Sequence, residues 1–381
     1  MIFDYATFKL IWLFLIGFLM IAFAITGGFD LGVGALLPFI GKNDKERRLI
    51  INSIGPTWEG NQVWFITAAA AIFAAWPFMY AAIFSSFYFA LLIILLALIL
   101  RPPGFDYRSK ISSPGWRQFW DWSLCFSGFV PSVLFGVTFG NLFLGIPFEY
   151  DDTFHSYFKG SFLSLLSPFA LLTGLLSLSL LLTHASFFLQ LKTQHPIQDR
   201  AKQTAQIVGL LFLIIFCFTV YWTLYKLPGF QITFIPDINT SFSPLVKQVS
   251  MLEGGWIEKF QAYPLAWAAW LAPITVILGI ILALVFSSYN FAAIAMVFSS
   301  LAITSVIVTA GMILFPFILP SSIQPNHSLT IWDAASSHLT LSWMFWAVVI
   351  FLPIVLAYTT WVFRVMRGKL SSETTLKSES Y

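Results

Sequence analysis

The chain has 381 residues and a formal net charge of +3; 58% of its residues are apolar and only 10% are charged, against roughly 25% charged in a soluble domain. Mean hydropathy is +0.83, which excludes a water-soluble globule. With 42 Phe and 15 Trp set in long apolar runs, disordered, collagenous and disulfide-scaffold classes are excluded as well. The runs are unbroken rather than short and alternating, so the expected class is an all-α polytopic membrane protein and not a β-barrel.

About 20 apolar residues cross a bilayer as a helix. Nine candidate spans follow in chain order, over about 8–40, 53–76, 78–100, 120–144, 162–190, 203–226, 264–286, 292–316 and 337–363, within one integral membrane domain covering 1–381. The first is too long for one straight crossing and is expected to break or tilt at Gly27-Gly28. It is not read as a cleaved signal: it lacks a basic leading region, and no small-x-small site precedes Asp30. Trp76-Pro77 and the short turn at 287–291 make helical hairpins of 53–100 and 264–316. Residues 227–263 form the one long outside loop, with room for a short helix near Gly254–Phe260. No soluble domain is expected. An A-x-x-F-S-S echo at 81–86 and 295–300 hints at two related bundles.

Fifteen of the 20 basic residues fall in 41–52, 101–117, 191–202 and the tail 364–381. Nine spans put these four regions on one side and leave Lys9, Lys159, Lys226, Lys247 and Lys259 on the other. The positive-inside rule then predicts a periplasmic N-terminus, a periplasmic 227–263 loop and a cytoplasmic tail.

Ionisable groups inside lipid are costly, so they form the functional search set. Glu59 opens the second span in Trp58-Glu59-Gly60-Asn61-Gln62-Val63-Trp64. Glu59 and Gln62 share a helix face. A carboxylate here is either a proton relay facing a partner helix or a wet N-terminal carboxylate favoured by the helix dipole. Asp30, in Gly27-Gly28-Phe29-Asp30-Leu31-Gly32-Val33-Gly34, is expected to form a structural ion pair, with Arg101 as the candidate cation. Arg101 opens the loop Arg101-Pro102-Pro103-Gly104-Phe105-Asp106-Tyr107-Arg108-Ser109-Lys110, where Asp106 and Lys110 either line a proton entry or serve as interfacial anchors.

Five histidines, His155, His184, His195, His327 and His338, offer no pair at matched depth. The chain is therefore expected to ligate no haem or metal itself. His184 reads as a hydrogen-bonded core residue. Cys125 and Cys217 read as small buried hydrophobes. Trp58 and Trp64 bracket Glu59 and either pack or line an oxygen or quinone passage.

Taken together, these stretches resemble subunit II of the cytochrome bd-type quinol oxidases. Further blocks carry the resemblance: Phe73-Ala74-Ala75-Trp76-Pro77, Trp120-Asp121-Trp122, Phe139-Gly140-Asn141-Leu142, 315–322 and Leu329-Thr330-Ile331-Trp332-Asp333-Ala334. The resemblance implies two four-helix bundles plus one extra helix. It implies a haem-free partner to a subunit I that holds haems b and haem d, with a small third subunit beside them. The complex would oxidise quinol and reduce oxygen to water in the bacterial inner membrane, among lipids and without nucleic acid. No activity is expected of this chain alone. A quinone is bound within this subunit in some relatives. By the same resemblance, Glu59 matches a proton-relay position, Asp106 and Lys110 its cytoplasmic entrance, and Trp64 the mouth of an oxygen passage. Asp30, Arg101 and Gln62 are support residues. One departure is Gly27, where relatives often carry Asp. The alternative is a stand-alone secondary transporter with a broken-helix site, though the charges sit towards one edge rather than mid-membrane.

Overall fold

A computed structural model describes residues 3–261 and 266–370. The fold is almost wholly helical. Helix α1 (Tyr5–Ile40) is followed by α2 (Asp44–Ile54), α3 (Trp58–Ala75), α4 (Pro77–Ser86), α5 (Tyr88–Leu98), α6 (Arg101–Tyr107) and α7 (Pro114–Leu144). Then come α8 (Pro168–Lys192), α9 (Ile197–Lys226), α10 (Trp256–Gln261), α11 (Ala266–Ser288), α12 (Ala292–Leu314) and α13 (His338–Val365). Several starts are capped: Asp4 accepts from the Thr7 amide and Asn43 from that of Glu46, which satisfies donors a helix leaves open.

Helices α1, α3, α5 and α7 pack as one group, and α8, α9, α11 and α12 as a second. The groups join where α1 and α7 meet α8, and α13 flanks α1 and α3. Among the described residues, eight helices are long and apolar enough to cross a membrane. The expected nine are not all carried by length and hydropathy. The difference is α3, whose 18 residues begin with Glu59, Asn61 and Gln62. The expected third span, 78–100, is two helices that part at Phe87.

The expected break at Gly27-Gly28 is absent. Helix α1 runs through its 36 residues, about 54 Å at the standard rise. Its glycines serve close packing instead. A Cβ at Gly32 would lie 2.5 Å from the Leu181 carbonyl oxygen of α8, and one at Gly128 of α7 would strike the Leu31 carbonyl. At Gly27 the space beside the backbone is filled by the Phe23 ring, so an Asp there would have to displace an aromatic side chain.

Four basic regions converge at one end. Arg200 of α9 meets Glu46 of α2 at 2.7 Å, Arg47 and Arg108 meet Asp121 of α7, and Lys369 donates to Gln198 at 3.1 Å. Residues 371–381 of the expected tail lie outside the described residues.

The other end carries a cap that the sequence reading lacked. Three antiparallel hairpins build it: β1 (Phe148–Tyr150) with β2 (Ser156–Phe158), β3 (Gly229–Phe234) with β4 (Gln248–Leu252), and β5 (Phe317–Leu319) with β6 (Leu329–Thr330). Ile146 bridges to Ser321, and the Val249 amide donates to Asn326, so the three loops form one unit. α10 falls where a short helix was expected.

The cap is held by buried lysines. Lys9 is fully buried and donates to the carbonyls of Trp332 at 2.7 Å and Ile238 at 2.8 Å. Lys247 meets Asp333 at 3.1 Å with both side chains buried. Burial pushes the Asp333 carboxyl up from the ordinary value, against the pull of Lys247. Burial likewise pushes Lys247 down.

Candidate functional site

The site lies where α1, α3 and α6 meet, close to the basic end. Trp58, Asn61, Trp64 and Ala68 recur at helical spacing and form the buried face of α3. Asn61 is the polar member of that stripe, and it donates from Nδ2 to Asp30 Oδ2 at 2.8 Å. Asp30 is fully buried on α1, and Arg101, at the start of α6, is 2% exposed. An isolated charge costs several kcal/mol here, so opposite charges on facing helices offset each other.

The expected direct pair between Asp30 and Arg101 does not form. The two line a common void of about 10 Å³ together with Ser127, Val33, Leu37 and Ile51. Asp30 Oδ1 and Arg101 Nη1 are each buried without a hydrogen-bond partner. Arg101 is held instead by aromatic faces. Its Cζ lies 5.4 Å from the Trp58 ring and 5.9 Å from that of Phe105, and those rings stack at 5.0 Å. Desolvated contacts of this kind are worth about 2 kcal/mol.

Glu59 lies on the other side of α3 and is exposed on this chain, while Gln62 is half-buried. Glu59 stands in the first turn, where the helix dipole favours a carboxylate. Asp106 and Lys110 are exposed at the end of α6 and just beyond it. Glu59, Asp106 and Lys110 form no side-chain hydrogen bond or ion pair with one another among the described residues. Trp58 packs against Phe105 and Arg101. Trp64 is buried with Leu19 and Ala68 and meets Phe18 edge-on.

Next to this site stands a charge cluster that the sequence reading missed. Arg108 and Asp121 are 2% and 1% exposed. Arg108 Nε meets Asp121 Oδ1 at 2.5 Å and its Nη2 meets Oδ2 at 3.1 Å, a bidentate fork. Arg47 adds a third contact to Asp121 at 3.0 Å, and Asp44 bridges Arg108 to Arg117. Asp121 sits between two tryptophans, and that setting is the only sequence signal for its burial.

No three His, Cys, Asp or Glu side chains converge on a metal-sized site among the described residues. His184, fully buried, donates from Nε2 to the Ile25 carbonyl at 3.0 Å and has Nδ1 2.8 Å from Ser299 Oγ. His327 Nδ1 accepts the Tyr150 amide, and His338 Nε2 donates to the Phe3 carbonyl. These three rings are committed to contacts within the fold. Cys125 is buried and donates to the Ala35 carbonyl; Cys217 is exposed, against the expectation of burial, because its side of α9 faces away from the bundle.

Residues 8–366 match the family described as cytochrome bd terminal oxidase subunit II. The chain belongs to that family. It is 44% identical over 370 residues to cytochrome bd-I ubiquinol oxidase subunit 2 of Escherichia coli strain K12, covering 97% of each chain. It is 46% identical to the probable cytochrome oxidase subunit 2 of Haemophilus influenzae, again over 97% of each. To cytochrome bd ubiquinol oxidase subunit 2 of Bacillus subtilis it is 32% identical over 365 residues, covering 95% of this chain and 96% of the relative. The solved structure of bd oxidase from Geobacillus thermodenitrificans matches with a TM-score of 0.66 at 14% identity, covering 94% of this chain and 98% of that one. That likeness concerns the fold. Membership of the family gives the transporter alternative no support.

Proposed function

We propose that this chain is the haem-free subunit of a terminal quinol oxidase in the bacterial inner membrane. In this reading it is bound to a haem-bearing subunit I and contributes a proton route to it. The observation that carries the reading is 44% identity across 97% of the chain to a bd-I ubiquinol oxidase subunit 2. The partner supplies haems b and d, where oxygen reduction takes place. A small third subunit and a quinone complete the proposed complex, and the chain has no activity alone.

This chain's own part is to hold and move protons. The basic end faces the cytoplasm and the N-terminus the periplasm. Asp106 and Lys110, exposed at the end of α6, take protons from the cytoplasm. Glu59 receives them at the start of α3. Its carboxylate points away from this chain's own bundle, as a group handing protons to a neighbouring subunit must. Asp30, Asn61, Arg101 and Gln62 hold the helix starts in place behind it. Trp58 and Trp64 are packed within the chain, so an oxygen or quinone passage would have to run along the outer edge of Trp64.

Glu59→Gln in the whole oxidase tests the route, since it keeps size and removes the titratable group. Quinol-driven oxygen consumption is expected to fall about a hundredfold or more, the scale of a lost positioned proton-transfer group. The rate of proton uptake should fall in step with it, with the protons taken up per oxygen reduced unchanged. Unchanged turnover with unchanged proton uptake overturns the route.

A further inference from the structure

We propose that the void between Asp30 and Arg101 is a binding site for a single water molecule, which bridges Asp30 Oδ1 and Arg101 Nη1. Both side chains are more than nine-tenths buried and line the same void, and each carries one buried polar atom without a protein partner, Asp30 Oδ1 and Arg101 Nη1. Orphaned polar atoms at this depth cost about 1–3 kcal/mol each, and more when charged. A molecule that satisfies both at once is therefore strongly favoured.

Size and charge select the ligand. The void measures about 10 Å³, close to the room one water needs. The walls already hold one carboxylate and one guanidinium. A cation there would face Arg101 and an anion would face Asp30, so a neutral ligand fits. Water accepts from Arg101 Nη1 and donates to Asp30 Oδ1. Ser127 lines the same void and gives its own proton to the Leu124 carbonyl at 2.8 Å, so its Oγ is the acceptor offered to the second hydrogen. That makes three partners, the usual number for a buried water. Val33, Leu37 and Ile51 close the remaining sides with apolar surface.

The bridged unit joins three helices. Asp30 belongs to α1, Arg101 to α6, and Asn61 ties α3 to Asp30's other oxygen. The water completes a hydrogen-bonded circuit at the point where α3 begins. This site does not depend on Glu59 carrying protons, and its test reads no turnover.

The test is a cryo-electron-microscopy map of the whole oxidase in lipid nanodiscs, at a resolution that shows ordered water. The expected result is one peak within hydrogen-bond distance of Asp30 Oδ1 and Arg101 Nη1. Asp30→Asn keeps an acceptor and should keep the peak; Asp30→Leu removes the acceptor and should lose it. Direct contact between the carboxylate and the guanidinium overturns the proposal, as does a void without density. A peak that persists in Asp30→Leu also overturns it. If the leucine variant does not assemble, the wild-type map alone decides.

Discussion

Asn61 and Asp30 form a buried hydrogen bond of 2.8 Å between α3 and α1, two residues from the exposed carboxylate of Glu59. The helix therefore presents a charge-anchoring group on its inner face and a free acid on its outer face. Anchoring the inner face fixes the direction in which the outer acid points.

Asn61→Leu removes that anchor and leaves Asp30 Oδ2 unpaired in an apolar interior. Hydrogen bonds to charged groups are worth about 1.5–3 kcal/mol, with a further penalty for the orphaned partner. Thermal unfolding of the assembled oxidase should begin several degrees lower. Asn61→Asp should be as damaging, because it sets two carboxylates against each other. A melting profile unchanged by both variants would contradict the anchoring role.

Asp121→Ala removes the buried bidentate partner of Arg108, which is 2% exposed, and leaves it only the half-exposed Asp44. Breaking a buried ion pair from one side costs about 3–5 kcal/mol. The variant should assemble poorly or melt well below wild type. Arg117→Ala touches only a half-exposed pair and should cost less than about 1 kcal/mol. Equal losses from the two would mean that burial does not set the cost.

The cap should loosen in acid through His327. Burial pushes this histidine below its ordinary value of 6.5. Its Nδ1 must be unprotonated to accept the Tyr150 amide at 2.9 Å. Folding thus depresses the pKa, so the contribution is present above 6.5 and is lost as pH falls through the lower folded value. The protection of the Tyr150 and β1 amides, measured as exchange relative to the unstructured rate at the same pH, should fall as pH drops below 6.5. His327→Gln should flatten that dependence. Protection independent of pH in the wild type would contradict a role for His327.

The membrane helices were legible because apolar runs and basic loops are properties of single segments. The convergence of 41–52, 101–117 and 191–202 at one end follows from two crossings between each neighbouring pair of regions, and the ion pairs Arg108–Asp44 and Arg200–Glu46 join them there. What was illegible depends on partners distant in the chain. Strands of two to six residues carry too little alternation to show in a chain this rich in Phe. The glycines near Asp30 read as a break, because a sequence does not reveal that α7 and α8 press against them. Arg108 and Asp121 meet across separate helices. Asn61 was within reach: Trp58, Asn61, Trp64 and Ala68 repeat every three or four residues, which marks one buried face. The pairing of Glu59 with Gln62 drew attention to the exposed side of the helix instead.

The most direct test of the account is purification of this chain from its native membrane, with a reduced-minus-oxidised optical spectrum and identification of what co-purifies. The account predicts a haem-bearing larger subunit in stoichiometric amount, a haem d band and quinol-driven oxygen consumption. A stable chain that purifies alone, without haem and without a larger partner, would contradict it.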